Sequence, residues 1–376
     1  MIEEDDMRVA ATLVASLTLS TTVLVGQAAA APVASADTVP AACPVVAPMY
    51  TAADYWLAHG TDLASASWKN AVFHVGNLAM VLTSGQSNHK TLPWAQALSY
   101  QLDTDPANEF TPANEAAGEA YLDLYTYFHP DPPILAALRQ RVADEVASVQ
   151  AGHVKYWNTV DALNQAWPQF VRLGVTDNKP ENIKAAQDLF HYTEKRAGGF
   201  GLFNELTGLW YHDASQVGTF QFWSRGNGEA LAALATVLQW LPKDDPNRAE
   251  YVRVFQKMAN TLRLVQRNDG FWNVDLLNPF DHPGPESSGT ALFTYALGWG
   301  VNNGILDAKK FTPAVTKGWN ALTTKALQPS GLFGYVQGDA TGPHGAQPVK
   351  ATDSGAYAVG AYLMAGQQVA KLTPGC

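Results

Sequence analysis

The chain has 376 residues, 47% of them hydrophobic and 15% charged, which is enough apolar material for one large core or two ordinary ones and argues against disorder. A formal charge of −10 at neutral pH argues against nucleic acid and anionic membrane surfaces as partners, and means that any bound anion must be held by local cations. Eleven tryptophans, fourteen tyrosines and fifteen phenylalanines suit either a filled core or a site that stacks on sugar rings.

Residues from Met7 onward read as a secretory signal. Arg8 is its only positive charge, Val9 to Val25 is an almost continuous apolar run, and Ala28-Ala29-Ala30 offers a small-residue cleavage site. The acidic Glu3-Glu4-Asp5-Asp6 does not suit the start of a signal, which points to Met7 as its first residue. An uncleaved membrane anchor is the competing reading, because the run nearly spans a bilayer. The expectation is a secreted protein, with residues 1–36 as signal and leader and residues 37–376 as one domain. In such a compartment Cys43 and Cys376 can form one disulfide tying the two termini, nominally contributing about 4–5 kcal/mol. Neither cysteine has a histidine nearby, so neither suggests metal or thiol chemistry.

Helical periodicity predicts helices near 49–59, 65–83, 91–102, 112–128, 134–150, 159–173, 182–197, 227–241, 245–266, 288–302, 309–326 and 352–370, with few strand-like alternations between them. The connections repeat. Thr207-Gly208-Leu209-Trp210-Tyr211, Asp269-Gly270-Phe271-Trp272 and Ser330-Gly331-Leu332-Phe333 place glycines 62 and then 61 residues apart, and Gly152 with Trp157 is a weaker earlier member. A period near 60 is the length of two helices with their turns, a hairpin that cannot bury its face alone. About six such hairpins fit after residue 48. They predict an all-α fold, an (α/α)6 barrel, in which tied termini favour closure over an open solenoid and the Gly–aromatic turns line a central cleft at one end.

Phe222-Trp223-Ser224-Arg225-Gly226-Asn227-Gly228-Glu229 runs into the apolar Ala230–Leu241 stripe. It reads as a glycine loop before a helix N-terminus, where amides favour anions and Arg225 can grip a carboxylate; a buried tryptophan beside a surface arginine is the bland alternative. Asp161 stands at a helix start behind Tyr156 and Trp157. A carboxyl among apolar neighbours has a raised pKa and can give and retake a proton near neutrality. Against this, Asn158-x-x-Asp161 is also capping-box-like, with Asp161 merely satisfying the first turn. His212 after Trp210-Tyr211 reads more simply as packed than as catalytic. Ser288, in Glu286-Ser287-Ser288-Gly289, and Asp353-Ser354-Gly355 read as helix caps. His-Glu-x-x-His, Gly-x-Ser-x-Gly and a phosphate-binding glycine loop with lysine are all missing from the sequence.

Trp223-Ser224-Arg225-Gly226-Asn227-Gly228, Pro285-Glu286-Ser287-Ser288-Gly289-Thr290-Ala291, Tyr295-Ala296-Leu297 and Gly300-Val301-Asn302-Asn303-Gly304 together resemble glycoside hydrolase family 105 and its relative family 88, the unsaturated rhamnogalacturonyl and glucuronyl hydrolases. The resemblance is dense from about residue 150 to 370 and thin before. It implies an (α/α)6 barrel that removes 4,5-unsaturated uronic acid from lyase-generated oligosaccharides, of pectin or rhamnogalacturonan type, by hydrating a vinyl ether without metal or other cofactor. By position, it implies Asp161 as catalytic acid, then base. His212, Trp223 and Arg225 match substrate contacts, and Trp157, Asn114 and Glu229 are placed with them. Two departures stand out. Asn114-Glu115 occupies the segment where the family carries a second aspartate, so proton sharing with Asp161 falls to Glu115 or is lost. Glu229 replaces a tryptophan, and a negative charge there repels a uronate if it faces the site. An inverting glycosidase pairing Asp161 with Glu115 or Glu229, at about 6.5–9.5 Å, and a non-catalytic sugar-binding protein are the competing readings. The partner expected is an oligosaccharide; the oligomeric state is left open.

Overall fold

The apolar segments expected at 227–241, 288–302 and 352–370 form helices buried on nearly every side, because each stands inside a ring of other helices. A computed structural model describes residues 43–86, 90–105, 110–129 and 133–376. The expected signal and leader, residues 1–36, lie outside these. In chain order the helices are α1 (Val46–His59), α2 (Trp68–Ser84), α3 (Thr91–Ala97), α4 (Ala117–Asp123), α5 (Ala136–Gln150), α6 (Ala162–Gln165), α7 (Trp167–Thr176), α8 (Pro180–Lys195), α9 (Ser224–Trp240), α10 (Arg248–Val265), α11 (Ser287–Asn302), α12 (Ala308–Ala321) and α13 (Ala356–Leu372). The inner ring runs α2, α4, α6 with α7, α9, α11 and α13, and α13 packs back on α2 to close it. The intervening α1, α3, α5, α8, α10 and α12 lie outside. This alternation is the (α/α)6 barrel. Cys43 and Cys376 are disulfide-bonded with Cα atoms 4.8 Å apart, as the sequence suggested.

Closure is tight where α2 crosses α13. A Cβ on Gly76 would fall 2.1 Å from the Gly360 carbonyl oxygen, and one on Gly360 would fall 2.1 Å from that of Val72, so only glycine permits this approach. The repeated turns sit between each outer helix and the next inner one. Gly152, Gly208, Gly270 and Gly331 all adopt left-handed φ of 69–95°, which explains their recurrence. Their aromatics, Trp210, Phe271, Trp272 and Phe333, are buried, Trp210 against Phe190 and Met258 and Trp272 against Leu262 and Phe293, so they pack against the helices and do not line a cleft as expected. No helix among the described residues is long and apolar enough to cross a membrane.

Several helix limits differ from expectation. The predicted helix 159–173 breaks at Ala166, two residues before Pro168, whose ring cannot donate into a continuous ladder. The segment 91–102 stops at Ala97, and Ser99 and Tyr100 turn left-handed. Most consequential for the site, Ser224-Arg225-Gly226-Asn227-Gly228 is the first turn of α9 and not a loop before it. Its glycines serve packing: a Cβ on Gly228 would meet Leu292 at 2.8 Å, and one on Gly226 would meet Val160 at 2.9 Å and approach Asp161 Oδ1 at 3.5 Å.

Candidate active site

The N-terminal ends of the inner helices converge at one mouth of the barrel, bringing together Asp161 (before α6), Arg225 and Glu229 (α9), Glu286 (before α11) and Tyr357 (α13). Asp161 occupies the N-cap position of α6, but its side chain accepts no capping hydrogen bond. The capping alternative is thereby removed, and the carboxyl faces other side chains. Asp161 Oδ2 lies 3.4 Å from His212 Nε2, while Asp213 Oδ2 lies 2.7 Å from His212 Nδ1. Backbone pairing of Thr159 with Asp213, and a Val160 N–H to His212 oxygen bond of 2.9 Å, hold the two segments in register. Burial pulls the His212 pKa down, but hydrogen bonds and charges from Asp161 and Asp213 outweigh it and hold the imidazolium up to about 9.

The Glu229 carboxyl adjoins that of Asp161, and each shifts the other's protonation. Burial, then the Asp161 charge, keep Glu229 well above the usual carboxylate range, so it is neutral where Asp161 is ionised. Burial also pushes Asp161 upward, but His212, the hydrogen bond from Glu229 and the charge of Arg225 together hold it below its ordinary value. Two expectations are corrected. Asp161 is not a carboxyl raised by apolar surroundings, because cations face it. Glu229 is not a repelling charge, because burial protonates it. Asp161 Oδ1 and Glu229 Oε2 are both buried acceptors to which no N–H or hydroxyl among the described residues donates, and one proton held between them satisfies both.

Arg225 is buried between the faces of Trp223 and Tyr357, its guanidinium 4.4 and 4.9 Å from the ring centroids. It donates to the carbonyl oxygens of Gln337 (2.6 Å) and Gly338 (3.0 Å), and Trp223 Nε1 donates to Gln337 Oε1 at 2.7 Å. Its charge also acts on both carboxyls of the pair, and it pins the 337–338 segment. Trp223 is buried as well, edge-on to His212 at 5.5 Å, and braces that ring.

Asn114 is buried in the turn Pro112–Glu115 against α6, and its Nδ2 has no acceptor among the described residues. Glu115 does not take over the second-aspartate role: its carboxyl pairs with Glu145 of α5, and burial and that neighbour raise it well above its usual value. Trp157, grouped above with substrate contacts, is fully enclosed and donates its Nε1 to Glu145 Oε1 at 2.9 Å, so it has no surface to offer a ligand. The cap of α11 is Glu286, accepting from the Ser288 and Gly289 amides at 2.8 and 2.7 Å, and not Ser288. Asp353 does not cap α13 either; it accepts from the Lys350 amide at 2.8 Å. Sequence reasoning passed over Asp213 and Gln337; the first was visible as a carboxylate adjoining His212, the second carried no local signal.

Glu229 interacts directly with Asp161 and Glu115 with Glu145, so neither has the water-spanning placement opposite Asp161 that an inverting glycosidase needs. A separate cavity of about 100 Å3 opens toward the other ends of the inner helices, among Glu119, Asp123, Tyr127 and Arg172. Arg172 is already paired there with Asp123 (2.8 Å) and Glu119.

The description of Glycosyl Hydrolase Family 88 matches residues 47–373. The chain belongs to that family. The match reaches far closer to the N-terminus than the motifs visible by eye from residue 150. This family 88 chain is 33% identical over 219 residues to an unsaturated 3S-rhamnoglycuronyl hydrolase of Alteromonas sp. (strain LOR), covering 57% of this chain and 51% of that protein. It is 42% identical over 151 residues to a protein of the same name from Formosa agariphila, covering 40% of this chain and 39% of that one. The chain thus spans about half the length, or less, of these curated relatives. The family 88 glycosyl hydrolase structure from Bacteroides vulgatus superposes with a TM-score of 0.80 at 29% identity, over 88% of this chain and 99% of that one.

Proposed function

We propose that the protein hydrolyses the 4,5-unsaturated uronic acid from the non-reducing end of lyase-generated oligosaccharides, with rhamnose as the sugar it leaves. The observation that carries this reading is the Asp161–Glu229 pair, two adjoining carboxyls beside the His212 imidazolium. The pair holds one proton, on Glu229 in the free protein. An arriving uronate adds a second negative charge near Asp161, raises its pKa and draws the proton onto it. Asp161 delivers that proton to C4 as the C4–C5 π electrons form the new C–H bond, and positive charge develops at C5 and the ring oxygen. The Asp161 carboxylate then takes a proton from water as the water oxygen bonds to C5. The resulting hemiketal opens and releases the remaining sugar. Asn114 Nδ2, buried without an acceptor among the described residues, supports a role as donor to a substrate oxygen.

The names of the two relatives support a uronyl–rhamnose linkage, and the resemblance to rhamnogalacturonyl hydrolases supports the same sugar. Export is proposed as well, supported by the Cys43–Cys376 disulfide, which persists in oxidising compartments, and by the segment following Met7. The −10 charge supports an oligosaccharide over nucleic acid as partner. The test is to incubate the protein with lyase-digested rhamnogalacturonan and follow the ultraviolet absorbance of the conjugated uronate. Loss of absorbance that is abolished in Asp161→Asn is the expected result. A gain in absorbance would mean bond-breaking elimination, and a flat trace with unsaturated galacturonides and glucuronides alike would reject the reading.

A further inference from the structure

Away from the carboxyl pair, two loops carry a second cluster. The connection between Trp272 and α11 supplies Asp281 and His282, and the connection between Phe333 and α13 supplies His344. Three ligand-type atoms meet there. His282 Nε2 lies 2.9 Å from His344 Nδ1 and 3.3 Å from Asp281 Oδ1, while His344 Nδ1 lies 3.7 Å from Asp281 Oδ2. A tetrahedral zinc with bonds of about 2.0–2.1 Å has ligand–ligand edges of about 3.3 Å, a length the three separations bracket. The left-handed backbone at His282 (φ 54°) lets the side chains of neighbouring residues 281 and 282 address one point.

Gln221 supplies an independent sign. Its carboxamide nitrogen lies 2.6 Å from His344 Nε2, and turning the amide over, which exchanges its nitrogen and oxygen, would let the oxygen accept an Nε2–H. In that orientation the Nδ1 lone pair faces His282, the arrangement of a metal-binding imidazole held by an outer partner. The other histidine–carboxylate cluster, His191 with Glu194 and Glu250, lacks this character: Lys195 Nζ sits 2.8 Å from Glu250 and 3.0 Å from Glu194, so a side-chain cation already fills it.

We propose that Asp281, His282 and His344 form a binding site for a divalent transition-metal ion of the zinc type, with a fourth position open to water, and that the ion clasps the two loops together. The nitrogen-rich donor set selects against magnesium and calcium. The role is structural. The loop bearing His344 begins at Gln337, whose carbonyl holds Arg225 and whose carboxamide donates to the oxygens of Gly342, Pro343 and Gly345, so the clasp steadies the segment to which Arg225 is bonded.

The experiment uses the chelator-treated full chain without a histidine tag, titrated with zinc chloride by calorimetry at neutral pH and melted with and without the ion. The described cysteines are both in the disulfide, so no thiol competes. The expected result is one bound ion, a melting temperature raised by about 3 °C or more at saturating zinc, and no rise with magnesium. His282→Ala and His344→Ala should each weaken binding at least tenfold, with circular dichroism reporting that both remain folded; His191→Ala should bind as the unchanged protein does. Absence of zinc binding, or binding insensitive to both His282→Ala and His344→Ala, overturns the proposal. The readout is metal binding, so it stands or falls independently of the uronyl hydrolase reading.

Discussion

Two buried carboxyl pairs, Asp161–Glu229 and Glu115–Glu145, differ in what faces them. Around the first stand the His212 imidazolium and the Arg225 guanidinium, and the pair splits: Asp161 falls below its ordinary value while Glu229 rises well above. Around the second the donors are mainly neutral, the Trp157 N–H and Tyr156, with Arg141 the least of the causes. Burial then lifts both members together. Desolvation alone makes neutral acids; desolvation with a cation on one side makes an acid beside a base. Only the first pair retains an opening, with the Asp161 side chain 20% exposed. By this contrast the first pair is equipped for proton transfer, and the second is a structural contact.

The contrast can be broken most directly at Asp161. Asp161→Asn should lower kcat at least about 10³-fold while leaving substrate binding largely intact, measured by the loss of uronate absorbance and by calorimetry. Glu229→Gln keeps a donor toward Asp161 but carries no transferable proton, so kcat should fall about 10²-fold. In the unchanged protein, activity should decline as pH rises through the raised Glu229 pKa, and that alkaline limb should vanish in the variant. An unchanged rate in Glu229→Gln would remove Glu229 from the proton path.

His212→Gln should cost about tenfold in rate and show a distinct stability signature. The folded pKa of His212, about 9, exceeds its unfolded value near 6.5, so its contribution is full below about 6.5 and lost as pH rises through about 9. Urea midpoints of the two proteins should therefore converge across that window, from a difference on the order of 2–4 kcal/mol. The smallest effect belongs to the other pair. Glu115→Gln should leave kcat within about twofold, because Glu115 touches no reacting group. A carboxyl raised in the folded state costs stability as pH climbs above its unfolded value of about 4.3, so this variant should gain on the unchanged protein as pH rises toward neutrality. If Glu115→Gln abolished activity instead, the distinction between the pairs would collapse.

Much of the architecture was legible in the chain. The 60-residue spacing of Gly208, Gly270 and Gly331 marks a left-handed turn once per hairpin, and the apolar all-round character of Ala356–Leu372 marks an inner helix. Asp161, His212 and Arg225 were visible through motif resemblance. What those residues do to one another was not. Asp161 and Glu229 are 68 positions apart, and nothing local says that Gly226 lets α9 approach closely enough for their carboxyls to meet. Trp157 was misjudged for the same reason, since an aromatic residue's type does not reveal whether the barrel will enclose it.

Periodicity and turn chemistry are local properties, repeated along the chain, so the helical hairpins and their approximate number could be read from the residues, whereas the Cys43–Cys376 disulfide was only a possibility until the structure joined the two. Protonation depends on burial and on charges brought together from distant segments. It is the folded arrangement that makes Glu229 a neutral acid, Asp161 a base held down by His212, and Glu115 a partner of Glu145 instead.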